Sequence, residues 1–158
     1  MTGGSDLTAN DYVYAMQRVL DPATGGQYVD ILTAYIKNAE EYYSGEATAD
    51  DLGIKAIDDQ TLEITLIQPT SFFVDLLTMW VFDPVQQATI EANGDQWTAS
   101  ADTYICNGPF KITEMNMGES MVLEKNENYW DAENVTLEKL TLRYVLDTST
   151  ALTAYESG

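Results

Sequence analysis

Between Gly45 and Ile54 the hydrophobic period of the chain changes from that of a helix to that of a strand, and after Pro69 it changes back. In "TLEITL" Leu62, Ile64 and Leu66 face one way, and Thr61, Glu63 and Thr65 face the other. "GIKAI" before it reads as a partner strand joined through Asp58-Asp59-Gln60. Upstream, "LTANDYVYAMQRVLDP" has a helical stripe of Tyr12, Val13, Met16, Val19 and Leu20. Thr8 is placed as its N-cap, with Asp11 three residues on where a capping box puts its acid, and Asp21-Pro22 stops it. Helices that give way to hairpins and return predict an α+β fold.

The remaining elements follow the same logic. After "ATGGQY", whose glycines permit unusual backbone angles, the spacing predicts one helical region from about Tyr28 to Ser44, ended by Gly45. Ser71 is placed to cap a short helix carrying Phe72, Phe73, Leu76 and Leu77, and Pro84 to open another that ends at Asn93-Gly94. "DQWTASADTY" is a polar connection. A hairpin then runs through "NGPFKITEMNMGESMVLEK", turning at Asn116-Met117-Gly118-Glu119. In "LEKLTLRYV" Leu140, Leu142 and Tyr144 alternate with polar residues as a half-buried strand. The sequence stops within a helix begun at "DTSTALTAYESG", which reads as a cut through a longer chain.

Composition narrows the chemistry. Of 158 residues, 26 are acidic and 7 basic, a net charge of −19 that repels phosphate backbones and anionic lipid and so argues against nucleic-acid or membrane-surface binding. No apolar run reaches the roughly 20 residues of a membrane span, and no signal peptide opens the chain. With no histidine there is no Ser-His or Cys-His pair and no imidazole metal ligand. The single Cys106 can form no internal disulfide and reads as a small hydrophobe, since no cation neighbours it in sequence. Asp50-Asp51 and Asp58-Asp59 lack calcium-loop spacing, so no metal is expected. Asn134-Val135-Thr136 matches a glycosylation acceptor, a pattern that arises often by chance. Catalysis is thus poor in candidates.

Binding is better supplied. Ten tyrosines and three tryptophans combine flat apolar faces with polar tips. Tyr12, Phe72, Phe73 and Tyr144 fall on faces expected to be buried. Tyr28 differs, because it follows Gly25-Gly26 at a loop-to-helix junction, where a side chain can either reach into a cleft or staple the helix start.

Taken in order, "LTANDYVYAMQRVLDPATGGQY", "YIKNAEEYYSGEATADDLGIKAIDDQTLEITLIQPTSFF" and "NGPFKITEMNMGESMVLEKNENYWDAENVTLEKLTLRYVLDTSTALTAYESG" resemble the extracytoplasmic solute-binding proteins of ABC peptide importers. "DPATGGQY" and "LGIKAIDDQTLEITL" favour the oligopeptide branch over the dipeptide and nickel branches. The resemblance implies mixed sheets with flanking helices, part of a periplasmic-binding-protein type II-like lobe. It places residues 1–104 in an accessory subdomain of the first lobe and 105–158 in its main sheet, the second lobe being absent. It implies an oligopeptide ligand, a membrane permease as partner, a monomer outside the cytoplasm, no cofactor and no catalysis. Asn107-Gly108-Pro109-Phe110 would mark the entry into the main sheet, with Gly108 permitting a tight bend and the aromatics of Asn128-Tyr129-Trp130-Asp131 covering one face. Tyr28 would be the ligand-facing residue. The alternatives are a binder of the same fold with another cargo (dipeptide, metal chelate or sugar) and a carboxylate-based hydrolase.

Overall fold

A computed structural model describes all residues, 1–158. The chain forms two compact units: residues 6–91, and residues 92–158 together with 1–5. The division of these units falls at Glu91/Ala92, because residues 92–104 and the first five residues pack with the second unit.

In the unit of residues 6–91, helix α1 (Ala9–Val19) lies against an antiparallel hairpin of β1 (Ile54–Asp58) and β2 (Thr61–Ile64). The capping acid is in place: the Asp11 carboxylate accepts from the Thr8 amide at 2.8 Å and from its hydroxyl at 3.1 Å. Leu62 and Ile64 face inward while Thr61 and Glu63 face solvent, the alternation expected of a half-buried strand. The core is built from Met16, Leu20, Leu32, Ile36, Leu52, Ile54, Phe73 and Phe82, all nearly or wholly inaccessible. Each such side chain contributes about 1.5–3 kcal/mol by leaving water.

The single helix expected over 28–44 is instead two short ones, α2 (Val29–Thr33) and α3 (Ala39–Tyr43). Between them the chain is drawn out beside the continuation of β2. Ile36 bridges Leu66, the Lys37 amide donates to Thr65 O at 2.9 Å, and the Ile67 amide donates to Tyr35 O at 2.9 Å. Asn38 then turns through a left-handed backbone (φ 58), its side chain donating to Asp51 O at 2.8 Å. Backbone pairing that also seats Ile36 in the core overrides a helical spacing. Helix α4 (Phe73–Leu76) has Phe72 rather than Ser71 at its N-cap, and Trp80–Phe82 follows as a 3₁₀ turn. Helix α5 (Gln87–Asn93) begins three residues beyond Pro84 and ends, as expected, at Gly94 with φ +54.

The other unit carries a three-stranded antiparallel sheet in the order β3 (Phe110–Asn116), β4 (Ser120–Lys125), β5 (Lys139–Arg143). Its turn is the expected one, with Gly118 at φ +75 and the Glu119 amide donating to Asn116 O at 3.0 Å. Helix α6 (Thr148–Ser157) ends the chain, capped by the Asp147 carboxylate on the Thr150 amide at 2.8 Å. The hairpin's two ends are tied by Asn126, almost wholly buried, which the sequence did not single out. Its amide nitrogen donates to Gly108 O at 2.8 Å, its backbone amide donates to Pro109 O at 2.9 Å, and its side-chain oxygen accepts from the Asn128 amide at 3.1 Å.

Three expectations for this unit need correction. Gly108 does not adopt a positive φ, and a Cβ there would meet nothing within 4 Å, so no tight bend demands glycine. Trp130 is 86% exposed and covers no face, although Tyr129 packs beside it. Leu142 and Tyr144 stand about half exposed, and α6 buries no residue.

Candidate ligand-binding site

Tyr28 follows a tightly constrained turn. Past α1 the Asp21 carboxylate accepts from the Ala23 amide at 2.9 Å and opens a 3₁₀ turn, Pro22–Thr24. Gly25 takes φ +62, and a Cβ on Gly26 would stand 2.8 Å from Val19 O. Each glycine of the pair thus has its own reason, one conformational and one a close approach to α1. Tyr28 itself has φ 61 and ψ 27, the left-handed region in which a bulky residue is held only by its surroundings. It forms the N-cap of α2 without a side-chain hydrogen bond, and the residue remains 44% exposed.

The surrounding is aromatic. The Tyr28 ring meets Trp80 edge-on, with centroids 5.3 Å apart at 85°. Seven residues along, Tyr35 meets Phe72 edge-on at 5.6 Å and 89°. The segments 28–35 and 72–80 are thus joined by a ring pair at each end. Phe72, expected in the core, is half exposed, because Phe73 takes the inward position and meets Phe82 at 6.0 Å. Trp80 is 64% exposed. Sequence periodicity missed it, since a residue opening a 3₁₀ turn belongs to no stripe.

Titratable groups do not converge here. The Tyr12 hydroxyl is pushed up by burial first, then by the charges of Asp83 and Asp11. Asp83 is raised by the partial shielding of its carboxyl. Asp51 is held low by the Thr48 hydroxyl and amide, and Asp58 by the Gln60 amide and the Thr61 hydroxyl. One acid of each adjacent pair, Asp51 and Asp58, is therefore a turn acceptor. No group of three or more His, Cys, Asp or Glu is arranged to hold a metal. On the other unit an open cavity of about 440 Å³ has Glu124, Glu127 and Glu138 interleaved with Lys111, Lys125 and Lys139. Glu124 is flanked in register by Lys111 and Lys139, and Lys125 reaches Glu138 at 3.9 Å. Such cross-strand pairs stabilise a sheet. Cys106 is half-buried, its thiol donating to Phe110 O at 3.4 Å.

Residues 3–158 match the family model for bacterial extracellular solute-binding proteins, family 5 (middle). The chain belongs to that family. The dipeptide-binding protein DppE of Bacillus subtilis is 36% identical over 99% of this chain and 28% of its own length. A solved oligopeptide-binding protein, OppAIV of Borrelia burgdorferi, superposes with a TM-score of 0.93 at 37% identity, covering 99% of this chain and 31% of that one. OppA of Listeria monocytogenes, solved bound to peptide, gives 0.90 at 34% identity over 99% of this chain and 31% of that one. The family 5 chain thus spans under a third of the relatives it matches. Its α+β architecture is theirs, and they are solute-binding proteins rather than enzymes. Dipeptide- and oligopeptide-binding proteins both stand among the relatives, DppE and OppA of Bacillus subtilis each being 36% identical to this chain. No helix is long and apolar enough to cross a membrane.

Proposed function

We propose that these residues belong to the first lobe of the substrate-binding component of an ABC transporter, which captures oligopeptides outside the cytoplasm and delivers them to a membrane permease. Residues 6–91 would be the accessory subdomain, and residues 92–158 with 1–5 part of the main sheet subdomain. The observation that carries this reading is the family match over nearly the whole chain, together with its superposition on a peptide-bound relative. Tyr28 is its ligand-facing residue. The strained backbone and partial exposure of Tyr28 support that role. The protein would act as a monomer without catalysis, ATP hydrolysis belonging to another chain.

Binding to the peptide main chain gives affinity without strict sequence choice, as strand addition does. The test is calorimetric titration of the full-length gene product with a series of di- to pentapeptides. Saturable one-to-one binding is expected, and Tyr28→Ala should weaken it about five- to thirtyfold, about 1–2 kcal/mol. A wild-type protein that binds none of the series would overturn the reading. The kinship with DppE keeps a dipeptide cargo as the second reading, and a clear preference for two-residue ligands would select it.

A further inference from the structure

We propose that Trp80 is a second ligand-facing residue, and that with Tyr28 it forms a wall receiving an aromatic or proline side chain of the bound peptide. This rests on the peptide-binding reading and adds to it a residue and a side-chain class. Trp80 opens the 3₁₀ turn whose other two members, Val81 and Phe82, are buried. The Phe82 amide donates to Met79 O at 3.0 Å and the Asp83 amide to Trp80 O at 3.1 Å. The indole is therefore held outward on a backbone anchored in the core. Rigid support of that kind suits a recognition residue.

Leaving a tryptophan about two-thirds in water forgoes the burial that a core position would give it. It is not alone. Phe72, Val74 and Leu77 on the same stretch of chain are also exposed, which makes that stretch apolar beyond what single surface hydrophobes explain. A second copy of this chain is a poor occupant, since each carries a net charge of −19 and would repel the other. A short peptide carries little charge to oppose. Aromatic rings pair edge-to-face or offset with other rings, and proline offers a rigid apolar ring of similar size. The Tyr28–Trp80 pair presents two rings already fixed at 85° to one another, so a third ring can pack without ordering either first.

The experiment compares wild-type, Trp80→Ala and Trp80→Phe full-length gene product by calorimetry. The ligands are an all-alanine peptide of three to five residues and the same peptides with one Phe or Pro at each position in turn. Trp80→Ala should weaken the best Phe or Pro ligand about three- to tenfold more than it weakens the all-alanine peptide, whose own loss reports the support that Trp80 gives the Tyr28 ring. Trp80→Phe should recover most of the loss. Equal loss on all peptides would overturn the inference, with Trp80 packing against protein instead, and so would no loss on any. Peptide binding by the wild type in either case keeps the functional reading standing, whereas a wild type that binds no peptide removes both. A thermal melt reports whether Trp80→Ala folds, and Trp80→Phe, which keeps a ring at the site, decides the matter if it does not.

Discussion

Asn126 shows how one side chain can close a hairpin. Buried, it must satisfy donor and acceptor together, and it does so with Gly108 O and the Asn128 amide. Asn126→Ala should therefore cost about 1–3 kcal/mol in urea unfolding. Asn126→Asp should do no better, because a carboxylate cannot donate to Gly108 O. The glycines divide in a way the sequence conceals. A Cβ on Gly53 would stand 2.7 Å from Thr65 O and 3.0 Å from Lys37 O, inside the backbone pairing that splits α2 from α3. Gly53→Ala should lower stability by about 1–3 kcal/mol. Gly108→Ala, with open space around it, should change stability by no more than about 0.5 kcal/mol on the same denaturation curves.

Among the elements, α6 depends on its cap. It buries nothing, so packing does not hold it within this chain. Asp147 accepts from the Ser149 and Thr150 hydroxyls and the Thr150 amide, which lowers its carboxyl from 3.8 to about 2. Because the folded value is depressed, the cap's contribution is complete above the ordinary carboxylate range. It fades as the pH falls below about 4 and through about 2. Carbon-detected NMR titration should place the Asp147 midpoint near 2, with the Thr150 amide signal moving in parallel. A midpoint at the ordinary value would mean the cap does not form. Helix α1 and both hairpins were legible in the sequence because local signals agree: caps, stops, turn glycines and period. The break at residues 34–38 was not, since Ile31, Leu32, Tyr35 and Ile36 keep helical spacing while Ile36 pairs with the distant Leu66. A long-range bridge leaves no local mark.

For the molecule as a whole, the α+β class and the family were legible in the sequence, and the chain divides into its two compact units at Glu91/Ala92. The polar residues 95–104 read as a connection, yet Trp97 and Tyr104 stack within the second unit, at 5.8 Å. The candidate site was half legible. Tyr28 stood out after its glycines, whereas Trp80 needed three dimensions to show which side of a short turn faced out. What the chain offers a ligand is an aromatic surface and open cavities rather than an enclosing pocket. A peptide clamp gains affinity by burying most of its ligand, and the relatives supply more than twice as much further chain. The most direct measurement is therefore calorimetric titration of the 158-residue chain alone with a pool of tri- to pentapeptides. The expected result is no saturable binding at submillimolar concentrations. A submillimolar dissociation constant would contradict the reading of these residues as scaffold for a groove completed elsewhere.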